Sequence, residues 1–162
     1  MNLVAALLVL VAPAFAAQQP TPPAPIPAPI LSAQKVFLAN GGADLNSVKE
    51  FQGGDPTNEP YNSTYAALKA WGHWQLVSSP EKADLVLIVR TIAPANFYSG
   101  GIQGYSPQIE LKIYDAKSHF LLWAFTQPIH GALLQTTADK NYAAAIQGLI
   151  IQLKLLTAPA TP

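Results

Sequence analysis

Three patterns in the chain predict an α/β fold (α+β), a two-layer sandwich with a mixed sheet of about five strands and two main helices. Ile109, Leu111 and Ile113 alternate with Glu110, Lys112 and Tyr114, the period of a strand with one covered face. Leu85 to Val89 is apolar at every position, as expected for a strand covered on both faces. Tyr142, Ala145, Ile146, Leu149, Leu153 and Leu156 recur at three- and four-residue steps, the stripe of a packed helix.

The remaining elements follow from local chemistry. Lys35 to Asn40, KVFLAN, reads as a first strand closed by Gly41 and Gly42. Ala43 to Thr57 is mixed, and GGDP at Gly53 to Pro56 marks a turn. Asn58 or Asn62 is placed to cap a helix running to Trp71, with Tyr61, Tyr65 and Leu68 on one face. Gly72 suits the left-handed position just past its end. Trp74 to Val77 alternates as a short strand, and Ser78 to Lys82 then reads as a corner into the next one. A turn at Asp115 to Ser118 joins the alternating strand to HFLLWAFTQ, which predicts an antiparallel hairpin. Thr136 and Asp139 are spaced like a capping box with a shortened acid at the start of the last helix.

The two ends and the composition narrow the function. The chain has 162 residues, zero formal net charge and 11% charged residues. That excludes electrostatic capture of nucleic acid, which needs clustered Lys and Arg. There is no cysteine, so disulfides, thiolate catalysis and cysteine zinc sites are excluded within the chain. Residues 1–16 read as a signal peptide: Leu3 to Val11 is apolar, Pro13 breaks the run, and Ala14-Phe15-Ala16 supplies the small residues of a cleavage site. The run is too short to span a bilayer, so no stable membrane anchor is expected after cleavage. Without a cysteine, lipid attachment is not expected either. Residues 17–34 read as a proline-rich linker, with six prolines between Gln18 and Ile30. A single α/β domain is expected over 35–157 and a disordered tail over 158–162. The expected location is outside the cytoplasm, periplasmic or extracellular.

No constellation in the sequence demands catalysis. Ser79 to Lys82 and Ser32 to Lys35 both match S-x-x-K, but one sits in a strand connection and the other abuts the linker. His73, His119 and His130 lack the spacing of a zinc site. Glu110, Asp115 and Asp139 are explained by solvation, turn formation and capping. No catalytic residue, metal or cofactor is therefore expected. The best site candidate is the loop NFYSGGIQGYSP, Asn96 to Pro107, where Phe97, Tyr98 and Tyr105 stand among glycines and small polar residues. Aromatic rings on flexible backbone suit recognition of a sugar, peptide or protein surface.

The unit YAALKAWGHWQLVSSPEKADLVLIV, followed by a hairpin containing LLWAF and a terminal helix, resembles an uncharacterised family of exported bacterial proteins. It is similar to envelope lipoproteins classed as a domain of unknown function, with Ala83-Asp84 opening a hydrophobic strand and Trp123 in the later strand. More distantly it resembles the periplasmic α/β domains of curli-secretion and penicillin-binding-protein-activator lipoproteins. The resemblance implies no catalytic residues. The expectation is a non-enzymatic, envelope-associated binding domain whose partner is another cell-envelope protein or glycan, or a second copy through a sheet edge. The alternative is a small cell-wall or polysaccharide hydrolase with a site assembled by folding.

Overall fold

The computed structural model describes residues 24–50, 55–97, 103–131 and 134–158. The expected signal peptide, its expected cleavage site and the last residues of the tail lie outside the described residues.

Strand β1 (Lys35–Ala43) is the hub of the parallel half of the sheet, pairing with β2 (Gln75–Leu76) on one side and β3 (Leu85–Ile92) on the other. Beyond β3 the sheet turns antiparallel, through β6 (Gln108–Asp115) to β7 (Leu121–Pro128) at the far edge. The order is β2-β1-β3-β6-β7, a mixed five-stranded sheet as expected. A separate two-stranded ribbon, β4 (Ala95–Phe97) with β5 (Gln103–Tyr105), projects between β3 and β6.

Two helices lie on one face of this sheet. Helix α3 (Glu59–Trp71) packs over β1 and β3, and α4 (Gln135–Thr157) over β6 and β7. The alternate residues Val36, Leu38, Leu85, Leu87, Val89, Ile109, Leu111 and Ile113 meet the α4 stripe of Tyr142, Ala145, Ile146, Leu149, Ile150, Leu153 and Leu156 in one core. Each fully buried leucine or isoleucine there contributes about 1.5–3 kcal/mol. Gly148 lets α4 approach closely, since a Cβ there would stand 2.8 Å from Cδ of Gln127 on β7.

Several local expectations need correction. β1 does not close at Gly41 and Gly42 but runs through them to Ala43 with a register shift after Asn40. Gly42 takes φ 73° there, a conformation that glycine adopts without steric cost. Ser78 to Lys82 is not a corner between neighbouring strands, because β1 lies between β2 and β3. It is a crossover containing a short 3₁₀ turn, Pro80–Lys82, packed on β1. The β3 run is covered fully on one face only: Leu85, Leu87, Val89 and Thr91 are buried and the residues between them half-buried. Helix α4 starts earlier than the Thr136 cap, with Leu134 at the N-cap and its carbonyl accepting from Thr137 and Ala138. Its last turn reaches Thr157.

The fold also reaches upstream of Lys35. Ala28–Ser32 forms a short helix, α1, whose prolines fall at the cap and first turn, where a missing N–H costs nothing. Ile30 is 1% exposed and belongs to the core, with Ile26 packed against it. Helix α2 (Leu45–Glu50) fills part of the mixed segment after β1.

Other expectations stand. Gly72 ends α3 at φ 67° and donates its N–H to the Leu68 carbonyl. β6 and β7 form the predicted antiparallel hairpin, joined through Asp115, which accepts from the Ser118 N–H. Ala83-Asp84 gains a physical reason: Ala83 is buried, and one Asp84 oxygen accepts the N–H groups of Gln34 and Lys35, both at 2.9 Å. That carboxylate pins the start of β1 beside the start of β3, and the two N–H bonds hold its pKa below the ordinary range.

Candidate binding surfaces

Of the loop singled out in the sequence, residues 96–97 and 103–105 belong to the β4–β5 ribbon, and residues 98–102 lie outside the described residues. Phe97 is the last residue of β4 and pairs with Gln103; Tyr98 lies outside the described residues. Tyr105 ends β5 opposite Ala95 and is half-buried rather than exposed. The base of the ribbon is tied firmly. Ser106 donates its N–H to the Pro94 carbonyl, the Asn96 amide reaches the Ser106 hydroxyl, and Asp44 accepts from the Ala93 N–H at 2.9 Å. Burial pushes the Asp44 carboxyl up, but bonds from the Ser47 hydroxyl and from three backbone N–H groups outweigh it and hold its pKa low.

The S-x-x-K pairs do not assemble a nucleophile. Ser79 sits on extended backbone and donates to Glu81, while Ser32 ends α1 and donates to the Ala28 carbonyl. His73 stacks on Trp71 with centroids 4.7 Å apart, and His119 occupies the β6–β7 turn at φ 61°. Among the described residues no group of three His, Cys, Asp or Glu side chains could hold a metal ion. The carboxylates divide by surroundings. Glu110 bonds Arg90 at 2.5 Å and Lys112 at 3.1 Å on the face away from the helices. Glu59, at the start of α3, has its pKa raised by burial and by the charges of Asp139 and Asp55.

The two edges of the sheet offer more. Among the described residues β7 pairs only with β6, leaving its outer side unpaired there. Ile129 N–H donates to the Pro107 carbonyl, and the register Ile109↔Gln127, Leu111↔Phe125 continues that alternation. Phe125 and Gln127 therefore bond towards β6, while the N–H and C=O groups of Ala124 and Thr126 point outwards. No Asp, Glu, Lys or Arg occurs between Lys117 and Asp139. Phe120 and Leu121 are 73% and 49% exposed at the near end of this strand. Most edge strands carry a charge that discourages pairing with another chain; this one carries none.

At the opposite edge β2 is only two residues long. Gln34 and Val36 accept from the Gln75 and Val77 N–H groups, so the next outward-facing residue of β1 is Leu38, beyond the end of β2. A cleft of about 580 Å³ opens there. Phe37, Leu38, Leu76 and Val77 form its strand side; Tyr61 and Tyr65 of α3, 6.4 Å apart, form a wall; Lys82 lies at its margin. The sequence showed Tyr61 and Tyr65 as a helix face but not the cleft, because the opening depends on where a distant strand stops.

No family model matches the chain, and no curated protein matches it in sequence. Solved structures match in fold. A DUF4136-family protein from Bacteroides thetaiotaomicron superposes with a TM-score of 0.55 at 14% identity, covering 80% of this chain and 92% of that one. A DUF330-family protein from Xanthomonas campestris gives 0.51 at 12% identity, over 82% and 90% of the two chains. A PelC dodecamer from Paraburkholderia phytofirmans gives 0.50 at 14%, over 74% and 88%. At these identities the likeness is one of fold. The resemblance to bacterial domains of unknown function, read from the helix–strand unit and the later hairpin, holds at that level.

No helix among the described residues is long and apolar enough to cross a membrane.

Proposed function

We propose that this protein is an exported, non-enzymatic binding domain of the bacterial cell envelope that associates through the β7 edge, pairing first with a second copy of itself. The uncharged outer side of β7, with the backbone groups of Ala124 and Thr126 turned outwards, carries the reading. Two such strands meet without like-charge opposition, and each supplies the donors and acceptors that the other lacks. Support also comes from PelC, which shares the fold and is a dodecamer. The apolar run at Leu3 to Val11 with its small-residue site supports export. The aromatic residues Phe97, Tyr98 and Tyr105 remain a second contact surface, favoured by their spacing among glycines in the sequence and by the tied base of the β4–β5 ribbon.

Analytical ultracentrifugation of the mature chain beside Ala124→Pro tests it. Proline deletes an outward N–H and leaves the β6 ladder intact, so the variant folds and sediments as a monomer. The native chain sediments as a dimer or larger. A native chain that is monomeric throughout the micromolar range, or a variant that associates equally well, overturns the edge reading. Release of fragments from purified cell wall by the native chain, abolished by Glu59→Gln, overturns the non-enzymatic part.

A further inference from the structure

The cleft beside β2 has the shape of a missing strand segment. β2 leaves β1 after Val77, whose N–H bonds the Val36 carbonyl, and the chain then turns away through Ser78 into the crossover. The backbone of Leu38 follows Gln34 and Val36 in the alternation and faces the vacated edge. Past Leu38, Asn40 donates its side-chain amide to Asn58 at the start of α3, at 3.0 Å. Leu38 and the two α3 tyrosines lie on the helix side, and Phe37 and Val77 on the other. That is a sandwich for side chains alternating up and down, as along a strand. Its volume, about 580 Å³, falls within the roughly 300–1,000 Å³ of ligand sites.

Charge narrows the occupant. Of the lining residues Lys82 is the one cation, and none is acidic. Among the described residues the ion pairs join Arg90 and Lys112 to Glu110, and Glu81 receives the Ser79 hydroxyl, so no acid engages Lys82. Its ammonium is available to an incoming carboxylate.

We propose that this cleft receives an extended peptide bearing a carboxylate, which adds to β1 as the continuation of β2, with its acid on Lys82 and an apolar side chain against Tyr61 and Tyr65. A peptide is favoured over a glycan because β1 at Leu38, past the end of β2, offers a main-chain donor and acceptor at strand spacing. Aromatic rings alone would suit either. The site is separate from β7, and neither proposal depends on the other.

A selection of random octapeptides displayed on phage, run on the native chain and on Ala124→Pro, tests the assignment. Peptides captured by β7 drop out on the second target. Those retained are expected to alternate apolar and polar residues and to carry an acid. The best of them, made synthetically, is expected to bind Lys82→Glu about tenfold more weakly, the loss of one hydrogen bond to a charged group. Tyr65 is 40% exposed, so Tyr65→Ala folds and is expected to weaken binding as well. Methylating alternate peptide nitrogens is expected to abolish binding. No peptide retained on Ala124→Pro, or binding indifferent to Lys82→Glu or to methylation, overturns the proposal. If an acidic oligosaccharide rather than any peptide shifts the Tyr61, Tyr65 and Lys82 resonances, the cleft belongs to a glycan and the proposal also fails.

Discussion

The two faces of β3 belong to adjacent residues and live in different surroundings. Leu85, Leu87, Val89 and Thr91 point under α3 and α4 with no exposed surface. Val86, Ile88, Arg90 and Ile92 point the other way and are half-buried, with no main helix over them. Two helices suffice for one face of five strands, and both lie on the same one. The second face keeps its solubility through charge, with Arg90 and Lys112 flanking Glu110 across the β3–β6 pair. A strand that reads as uniformly apolar can therefore have one dry face and one wet one. Apolarity at every position shows tolerance of burial, and only the count of covering helices decides how much burial occurs.

The largest expected effect exploits this contrast directly. Leu87→Ala opens a cavity in the dry core and is expected to cost about 3–4 kcal/mol. Ile88→Ala, one residue along, removes a half-buried side chain and is expected to cost about 1 kcal/mol. Urea unfolding of both variants measures the difference. Equal losses would mean that the second face is covered in solution, and concentration-dependent unfolding of Ile88→Ala would identify the cover as another copy.

Next in size is Gly41. A Cβ there would stand 2.8 Å from Cγ2 of Ile88 and 3.1 Å from the Val89 carbonyl. The register shift in β1 brings its backbone against β3 with no room for a side chain. Gly41→Ala is expected to cost about 2 kcal/mol through overpacking. Arg90 Cβ would stand 3.0 Å away as well, so Ile88→Ala removes one of three obstacles, and the double variant should lose less than the sum of the singles. Strict additivity in urea titrations would show that the Val89 carbonyl and Arg90 Cβ, not Ile88, set the limit.

The Gly41 contact also marks where sequence reading ran out. Much of what neighbours along the chain set was legible: the alternation at Ile109, Leu111 and Ile113, the Gly72 stop, and the hairpin around Asp115. The stripe of α4 belongs with them. Two misreadings depended on partners far away in sequence, and two on local backbone capping. Gly41 and Gly42 look like a strand terminator until β3 is seen to continue the ladder past them. Ser78 to Lys82 looks like a corner until β1 is found between β2 and β3. Leu134 wins the N-cap of α4 through its backbone carbonyl, where side-chain chemistry pointed to Thr136. The proline-rich segment hid Ile30, because proline excludes a helix interior but not a first turn. Both proposed surfaces are edges, and an edge is a property of strand order, which no local pattern encodes. The uncharged stretch from Ser118 to Ala138 was the one visible signal, and its meaning waited on β7 being outermost.

The smallest effects sharpen the same contrast between covered and open surroundings, through two carboxyls shifted in opposite directions. Asp84, on the exposed rim, is held below its ordinary 3.8 by the Gln34 and Lys35 N–H groups. Its folded pKa is depressed, so its contribution is present above 3.8 and fades as pH falls through the folded value. Asp84→Asn is expected to cost about 1 kcal/mol near neutrality, reduced from a buried charged bond by solvent, and progressively less in acid. Glu59, in the helix layer, is raised above 4.5 by burial and by Asp139 and Asp55. Here the native state holds its proton more tightly, so stability is greatest below 4.5 and is lost as pH rises through the folded value. Glu59→Gln should match the native chain in acid and exceed it by about 0.5 kcal/mol at neutral pH, since removing the charge removes its repulsion. Thermal melts from pH 3 to 7 compare the two. If Asp84→Asn gains and Glu59→Gln loses relative to the native chain as pH rises, the assignment of rim and interior to these carboxyls is reversed.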